Sequence, residues 1–152
     1  EGAEVTVFVD SEQQVSDIER FVAASSDKKP FRVFLKLDLG YHRAGIDVEA
    51  SPQQAVALAK RLQSSPATTL RGIYSHSGHA YNGNTLQINE HECSAAKSFA
   101  AKLREEGVKV DTISVGGTPT CATCSRFEGA TEVHPGNYVF FDRQQMAVGG
   151  CK

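Results

Sequence analysis

The sequence lacks the features that mark membrane, nucleic-acid-binding and disordered proteins. It contains no run of about 18 apolar residues, so it predicts no membrane-spanning helix. Neither charge sign is in excess, since 16 basic and 18 acidic side chains give a net charge of −2. Domains that bind nucleic acid usually carry a basic stripe, so this balance argues against such a partner. The absence of low-complexity tracts predicts an ordered, globular chain.

Cysteine is also sparse. The 152 residues contain four cysteines, whereas a disulfide-stapled secreted domain is shorter and denser in cysteine. We therefore expect free thiols and a reducing compartment, which favours a cytoplasmic protein. Cys121 and Cys124 form a CxxC pair that fits either a redox or zinc-binding pair or two ordinary thiols. A lone CxxC match carries a high false-positive risk, so two ordinary thiols are favoured.

Five strand-like runs alternate with four helical segments along the chain. The strands are predicted over Glu4–Asp10, Phe31–Leu39, Leu70–His76, Val108–Val115 and Thr131–Phe141. The helices are predicted after an N-cap at Ser11, from Pro52 to Ser64, over Thr85–Glu106 and over Thr120–Phe127. This alternation is typical of parallel βα units, which fit both a doubly wound sheet and a (β/α)8 barrel.

Long polar junctions between strands and helices favour the barrel, because the active site of a barrel is built from those loops. An intact barrel needs eight strands and about 250 residues. We therefore predict an α/β fold in which residues 1–152 form part of one TIM-type (β/α)8 barrel, with its first strands outside this chain.

The first polar junction follows the second predicted strand and reads LDLGYHRAGI, from Leu37 to Ile46. Gly40 and Gly45 flank His42 and Arg43, and glycine frees the backbone for tight turns. A guanidinium held in such a loop presents a rigid fork of donors to a phenolate, carboxylate or phosphate. We expect Arg43 to be aimed at an anion, although a surface arginine explains the same pattern.

The second junction reads GIYSHSGHAYN, from Gly72 to Asn82. Alternate residues of a strand share a face, so Tyr74 and His76 are predicted to point into the barrel. A histidine at a strand end is suited to stack on an aromatic ligand, bind a metal or transfer a proton. The spacing of His76 and His79 also suits a metal, but zinc needs three or four ligands and spacing fixes no third. A pair of hydrogen-bonded core histidines is the other interpretation.

Two further junctions are rich in glycine and proline. SVGGTPT, from Ser114 to Thr120, follows a strand and precedes a helix, and successive amides in such a turn form an anion-binding nest. It matches neither a P-loop nor a dinucleotide-binding fingerprint. His134, Pro135, Gly136 and Asn137 interrupt the fifth predicted strand. Neighbouring loops of a barrel share one phosphate, so we expect the amides of Gly136 and Asn137 to face the same anion.

Taken together, the four segments resemble one family in order and spacing. LDLGYHRAG, GIYSHSGHAYN, SVGGTPT and EVHPGNYVFFDRQQ are similar to the D-serine dehydratase and D-threonine aldolase branch of the pyridoxal-phosphate enzymes. These enzymes have an alanine-racemase-like barrel of fold type III. The similarity covers nearly the whole chain and is strongest from Phe31 to Gln145. No single segment is decisive, but four in the right order are specific.

The resemblance implies cofactor-binding roles for residues in all four segments. Arg43 is implied to approach the phenolic oxygen of pyridoxal 5'-phosphate, and His76 to stack on its pyridine ring. His134 takes the place of an arginine that lies beneath the ring in alanine racemases, which implies a less strongly protonated ring nitrogen. The resemblance leaves open whether Tyr74 or Tyr81 binds that nitrogen. The implied phosphate-binding residues are Gly117, Thr118, Gly136 and Asn137.

Two essential parts are implied to lie outside this chain. The Schiff-base lysine is expected upstream of Glu1, and Lys36 does not match its position. A divalent metal, with zinc expected, and a C-terminal β domain are expected beyond Lys152, since Cys151 does not lie in the metal motif. We therefore expect no catalytic lysine and no metal ligand here, and an inactive isolated segment.

The implied activity is that of a lyase acting on a D-amino acid. D-serine dehydratase, which converts D-serine to pyruvate and ammonia, is favoured because GIYSHSGHAYN is slightly closer to that side. The alternatives are D-threonine aldolase, which yields glycine and an aldehyde from D-3-hydroxy amino acids, and a non-enzymatic pyridoxal-phosphate carrier. The expected partners are the D-amino acid and a second copy in a homodimer, without nucleic acid or membrane.

Overall fold

The computed structural model describes residues 5–140 and 142–149. Its strands are β1 (Thr6–Val9), β2 (Phe31–Asp38), β3 (Ile46–Asp47), β4 (Thr68–Ser75), β5 (Thr112–Val115) and β6 (Glu132–Val133). Its α-helices are α1 (Glu12–Ala24), α2 (Pro52–Ser64), α3 (Thr85–Glu105), α4 (Thr118–Thr123) and α5 (Arg143–Ala147), and a 3₁₀ helix spans Gly78–Tyr81. Within these residues no helix is both long and apolar enough to cross a membrane.

The strands form one parallel sheet whose order follows the chain. The order is β1-β2-β4-β5-β6, and the short β3 pairs with β2 outside this path. A doubly wound sheet reverses its strand order at a switch point. A barrel instead adds each strand beside the previous one. The chain therefore folds as a portion of a (β/α)8 barrel, as predicted.

The two faces of the sheet carry different side chains. One face packs against the helices in a single apolar core. The strand residues Leu35, Leu37 and Ile73 lie in this core with Leu58, Leu62 and Leu103 of the helices. On the other face Tyr74 contacts Phe8 and Phe34, with ring centroids 4.2 and 6.0 Å apart. This alternation places Tyr74 on the barrel-interior side, as the strand pattern predicts.

Local sequence rules predict where the first three helices begin or end. The Ser11 side chain caps α1 and pairs with Gln14 in a capping box. Pro52 is the first residue of α2, a position that needs no amide hydrogen. Gly107 follows α3 with φ +81°, a left-handed conformation that glycine adopts without strain.

The later elements differ from the prediction. The strand predicted from Val108 begins only at Thr112, because the end of α3 engages the preceding backbone. The amide of Val108 donates to the carbonyl oxygen of Leu103 at 2.8 Å, and the Arg104 side chain donates to the carbonyl oxygen of Val110 at 2.8 Å. Those groups are therefore not available to a neighbouring strand.

The fourth helix and fifth predicted strand are both shorter than expected. Helix α4 spans Thr118–Thr123 rather than Thr120–Phe127, since Pro119 is favoured in a first helical turn. Of the strand predicted over Thr131–Phe141 only β6 forms, because Pro135 lacks an amide to continue the ladder. The predicted ends at Glu4 and Phe141 lie outside the described residues. The sequence also missed β3, α5 and the 3₁₀ helix.

Gly72 permits a close approach between β4 and β5. It has φ +148°, and a Cβ there would lie 1.9 Å from the carbonyl oxygen of Thr112. Gly72→Ala is expected to lower the free energy of unfolding by about 2 kcal/mol or more, since a paired backbone cannot move aside freely. Gly136→Ala is the control, because no atom lies within 4 Å of its Cβ position. Urea denaturation of the intact protein measures both, and wild-type stability of Gly72→Ala would contradict the close approach.

Candidate active site

The candidate site lies where the carboxyl ends of β2, β4, β5 and β6 meet. Parallel strands bring these ends to one edge, and the loops there build the active site of a barrel. A cavity of about 450 Å³ opens at this edge. Its lining includes Arg43, His76 and Tyr81, together with Tyr41, His79 and Gln144. The structure therefore brings three of the predicted site residues to one cavity.

Two carboxylates fix the loop that follows β2. Oδ1 of Asp38 accepts hydrogen bonds from the amides of Gly40 and His42, both at 3.0 Å. Oδ2 of Asp10 accepts one from the amide of Gly45 at 2.9 Å. Gly45 also has φ +113°, so its backbone favours glycine. The loop is thus held at both of the glycines that the sequence singled out.

Arg43 lies at the rim of the cavity on this loop. Its side chain is exposed, and its guanidinium carbon lies 4.8 Å from the ring centroid of Tyr41. The Tyr41 ring in turn contacts His76 edge-on, with centroids 5.9 Å apart. Packing on an aromatic face orients a guanidinium without consuming its donors. Its role toward a ligand anion stays a prediction.

His76 is fixed against the glycine turn after β5. Its Nδ1 lies 3.2 Å from the carbonyl oxygen of Gly116, so Nδ1 donates this hydrogen bond. A Cβ on Gly117 would lie 3.3 Å from Cε1 of His76, so the absent side chain leaves room for the ring. Burial lowers the pKa of His76, and the charges of Lys36 and Arg43 lower it further. The imidazole is therefore neutral at neutral pH.

Tyr74 and His134 form a stacked pair next to His76. Their ring centroids lie 4.0 Å apart, and those of His76 and His134 lie 5.9 Å apart. Burial raises the pKa of Tyr74 to about 12. Burial, with smaller effects from His76 and Lys36, lowers the pKa of His134 to about 4. All three rings are thus uncharged at neutral pH.

One nitrogen of His134 is buried without a partner. The hydroxyl of Ser114 donates to Oε1 of Glu132 at 2.6 Å, and its oxygen accepts from Nδ1 of His134 at 2.9 Å. Nε2 of the neutral ring is then an acceptor, and it has no hydrogen bond to any residue that the structure describes. Leaving a buried acceptor unpaired is costly. A ligand with a donor at this position removes that cost.

Two amides of the predicted anion-binding turn are engaged within the protein. The amide of Gly116 donates to Oε2 of Glu92 at 3.0 Å, and the amide of Gly117 donates to Oγ1 of Thr120 at 3.1 Å. Both amides are therefore committed inside the protein. Sequence reasoning missed this because spacing does not show that the buried Glu92 reaches the turn from α3.

The turn after β5 and the segment after β6 meet at Thr118. The amide of Asn137 donates to Oγ1 of Thr118 at 2.9 Å, which joins the two loops as the barrel arrangement predicts. Because Oγ1 accepts this bond, the Thr118 hydroxyl keeps its hydrogen to donate. Gly136 has open space around its Cβ position. The phosphate roles of Gly117, Thr118, Gly136 and Asn137 stay predictions.

Tyr81 differs from Tyr74 in its surroundings. The side-chain amide of Gln145 donates to the Tyr81 hydroxyl oxygen at 2.7 Å. The hydroxyl hydrogen of Tyr81 is thereby left to donate toward the cavity that it lines. Tyr74 instead lies against His134. Gln145 is fully buried on α5, a helix that the sequence did not predict.

Two buried charged residues, Glu92 and Lys36, could have been recognised from the sequence as charges on apolar faces. Glu92 is 1% exposed and lies on the inward stripe of α3. That stripe also contains the buried Ala96, Phe99 and Leu103. Lys36 is 8% exposed, and its Nζ lies 4.6 Å from the ring centroid of Tyr74. Burial, with a further effect of Arg43, lowers the pKa of Lys36 to about 8. A charge on an apolar face is the pattern that identifies such residues.

The cysteines among the described residues have no feature of a reactive or metal-binding pair. Cys93, Cys121 and Cys124 are free. Burial raises the pKa of Cys93 to about 11 and also raises that of Cys121, whereas a reactive thiol needs a lowered pKa.

Cys93 and Cys124 line a groove of about 760 Å³ beside α3 that shares no lining residue with the cavity around His76. In the part of the chain that is described, no three His, Cys, Asp or Glu side chains group as metal ligands.

Comparison with known proteins decides the family. The sequence profile described as "Alanine racemase, N-terminal domain" matches residues 1–144. This chain belongs to the alanine racemase N-terminal domain family. The family match agrees with the sheet order and with the resemblance that the four sequence segments indicate.

Relatives of this alanine racemase-type domain include named lyases. D-serine dehydratase of Dictyostelium discoideum is 39% identical over 135 residues, covering 82% of this chain and 34% of the relative. D-threonine aldolase of an Arthrobacter species is 26% identical over 144 residues, covering 92% of this chain and 37% of the relative. The solved structure of D-threo-3-hydroxyaspartate dehydratase from Delftia sp. HT23 matches with a TM-score of 0.82 and 30% identity, covering 99% of this chain and 40% of that chain. This chain thus spans between a third and two fifths of these proteins.

The neutral His134 makes stability depend on pH. Its folded pKa of about 4 lies below the usual unfolded value of about 6.5. The unfolded state therefore binds more protons between these values, so stability is lost as the pH falls from about 6.5 to 4. His134→Gln is expected to make this loss smaller, as measured by urea denaturation of the intact protein across that range.

The exposed His91, on α3, supplies the matched control. His91→Gln is expected to retain the wild-type pH dependence. An unchanged loss of stability in His134→Gln would show that His134 titrates normally in the folded protein.

Proposed function

We propose that this chain forms part of the pyridoxal-phosphate site of a D-serine dehydratase. The observation that carries the proposal is the set of groups gathered at one edge of the sheet. They offer a histidine face for a planar ring, a guanidinium for an oxyanion and a buried neutral acceptor. The Thr118 hydroxyl and the open backbone at Gly136, on the two joined loops, complete the set.

This donor set fits pyridoxal phosphate. Bound there, the cofactor supplies an electron sink for the Cα of an amino acid. Arg43 would bind its phenolic oxygen, and the His76 ring would pack against the cofactor. The unpaired Nε2 of His134 would accept a hydrogen bond from a protonated ring nitrogen. A neutral imidazole acceptor would favour that proton, whereas a guanidinium has no acceptor and its positive charge would disfavour it. This is the opposite of the weaker protonation that the resemblance implies.

The phosphate binds at the junction of the two loops. The Thr118 hydroxyl keeps its hydrogen, and Gly136 has open space at its Cβ position, so both are suited to contact a phosphate oxygen. Gly117 contributes space for His76 rather than its amide, which Thr120 already engages. Lys36 and Arg43 place positive charge near an anionic ligand.

The choice of D-serine rests on the relatives that carry the D-serine dehydratase name. The relative named D-threonine aldolase supports the alternative of aldol cleavage. From the resemblance alone, we also propose a divalent metal, zinc, bound outside this chain, and a homodimeric intact protein. Free thiols support a cytoplasmic location.

The test uses the intact protein with pyridoxal phosphate and D-serine. A cofactor absorbance band that shifts on adding D-serine, with pyruvate and ammonia as products, is the expected result. Glycine and an aldehyde from D-threonine, without pyruvate from D-serine, would instead establish the aldolase. A band without turnover of either substrate would favour the carrier, and the absence of any band would overturn the cofactor assignment.

Arg43→Gln is the variant that links this result to the site. Losing a charge-assisted hydrogen bond to the phenolic oxygen is expected to weaken cofactor binding by about 10-fold or more. Arg126→Gln is the matched control, since Arg126 is also exposed but does not line this cavity. Equal cofactor affinities for the two variants would remove Arg43 from the site.

A further inference from the structure

Glu92 is a buried acid at the base of the candidate site. It is 1% exposed, and it extends from α3 toward the ends of β4 and β5. Its Oε2 accepts the amide hydrogen of Gly116 at 3.0 Å. Ser75 and Ser77 act to lower the pKa of this carboxyl, but its Oε1 has no hydrogen bond to any residue that the structure describes. A carboxylate acceptor makes a stronger hydrogen bond to an amide than a neutral oxygen does.

The next peptide group, on the other side of the Gly116 Cα, holds His76. The carbonyl oxygen of Gly116 accepts from the amide of Ser77 at 3.2 Å and from Nδ1 of His76 at 3.2 Å. Gly117 then lies against the His76 ring. Gly116 itself has φ +107°, a conformation that other residues rarely adopt. The backbone here therefore needs an outside contact to fix its direction, and Glu92 supplies one.

We propose that Glu92 is a positioning residue for the cofactor site, acting through Gly116. By holding the Gly116 amide, it sets the direction of the turn that leads to Thr118. Because Gly116 links the two peptide groups, the same contact also restrains the following one, whose carbonyl oxygen orients His76 and whose amide Thr120 engages. This inference rests on the proposed function for the identity of the ligand, but the positioning of His76 is independent of any ligand.

Burying the Glu92 carboxyl costs desolvation free energy. Burial raises the pKa of Glu92, although Ser75, Ser77 and the Gly116 amide act in the opposite direction. An apolar residue at this position of the inward stripe of α3 would avoid the desolvation penalty. The acid is therefore explained by its contact with the turn rather than by packing of the helix.

Three variants distinguish the effect of the length of the Glu92 side chain from the effect of its charge. Glu92→Ala removes the acceptor, and Glu92→Asp keeps the charge but withdraws it by one methylene. Glu92→Gln removes the charge but keeps an oxygen that is able to accept from the Gly116 amide. We expect Glu92→Gln to retain function that Glu92→Asp and Glu92→Ala lose. The control is Glu90→Ala, an exposed acid two positions away on α3.

The first measurement is the affinity of the intact apoprotein for pyridoxal phosphate and for pyridoxal, by fluorescence titration. Glu92→Ala and Glu92→Asp are expected to lower the preference for the phosphorylated form by about 10-fold, as loss of a buried charged hydrogen bond suggests. Glu92→Gln and Glu90→Ala are expected to stay within about threefold of wild type. A change in overall stability alone would weaken both ligands equally and leave the preference unchanged.

The second measurement is the ¹⁵N spectrum of the His76 ring in the ligand-free protein. Wild type and Glu92→Gln are expected to show one tautomer with hydrogen on Nδ1, whereas Glu92→Asp and Glu92→Ala show a mixture. An unchanged tautomer and an unchanged ligand preference in Glu92→Asp would overturn the inference. If wild type binds no pyridoxal phosphate, the proposed function fails, and the His76 spectrum still decides the role of Glu92.

Discussion

The two peptide groups that meet at Gly116 connect α3, the end of β4 and the loop junction of the candidate site. The amide of Gly116 donates to Glu92 of α3, and its carbonyl oxygen, in the following peptide group, accepts from Ser77 and His76 at the end of β4. The next residues begin α4, where Thr118 joins the segment that follows β6. A change in the backbone angles of Gly116 would therefore move the histidine ring and the loop junction together. The buried hydrogen bonds around Gly116 are consequently the main constraint on the geometry of the site.

The site combines uncharged aromatic and imidazole rings with nearby cationic side chains. Burial keeps His76, His134 and Tyr74 uncharged at neutral pH, while Lys36 and Arg43 provide positive charge around them. This arrangement suits a ligand that is planar at one end and anionic at another.

Local rules predicted those features that depend on neighbours in the sequence. The cap at Ser11, the first-turn proline at Pro52 and the glycine end at Gly107 are each set within a few residues. Strand alternation also placed Tyr74 on the barrel-interior face. The alternation of strands and helices fitted both a doubly wound sheet and a barrel, and the long polar junctions favoured the barrel.

Features that depend on distant contacts could not be predicted in this way. The start of β5 is delayed because α3 engages the backbone around Val108 and Val110. The amide of Gly116 is occupied by Glu92, which lies 24 positions away in sequence. Only the position of that acid on an apolar helix stripe signalled a special role.

The central claim is that the loop junction at Thr118 and the ring of His76 together bind pyridoxal phosphate. A crystal structure of the intact protein with this cofactor tests the claim most directly. The predicted result is a phosphate in contact with Thr118 and Gly136, a pyridine ring packed on His76, and an intact contact between Glu92 and Gly116. A cofactor whose phosphate lies away from this junction, or whose ring does not meet His76, would contradict it.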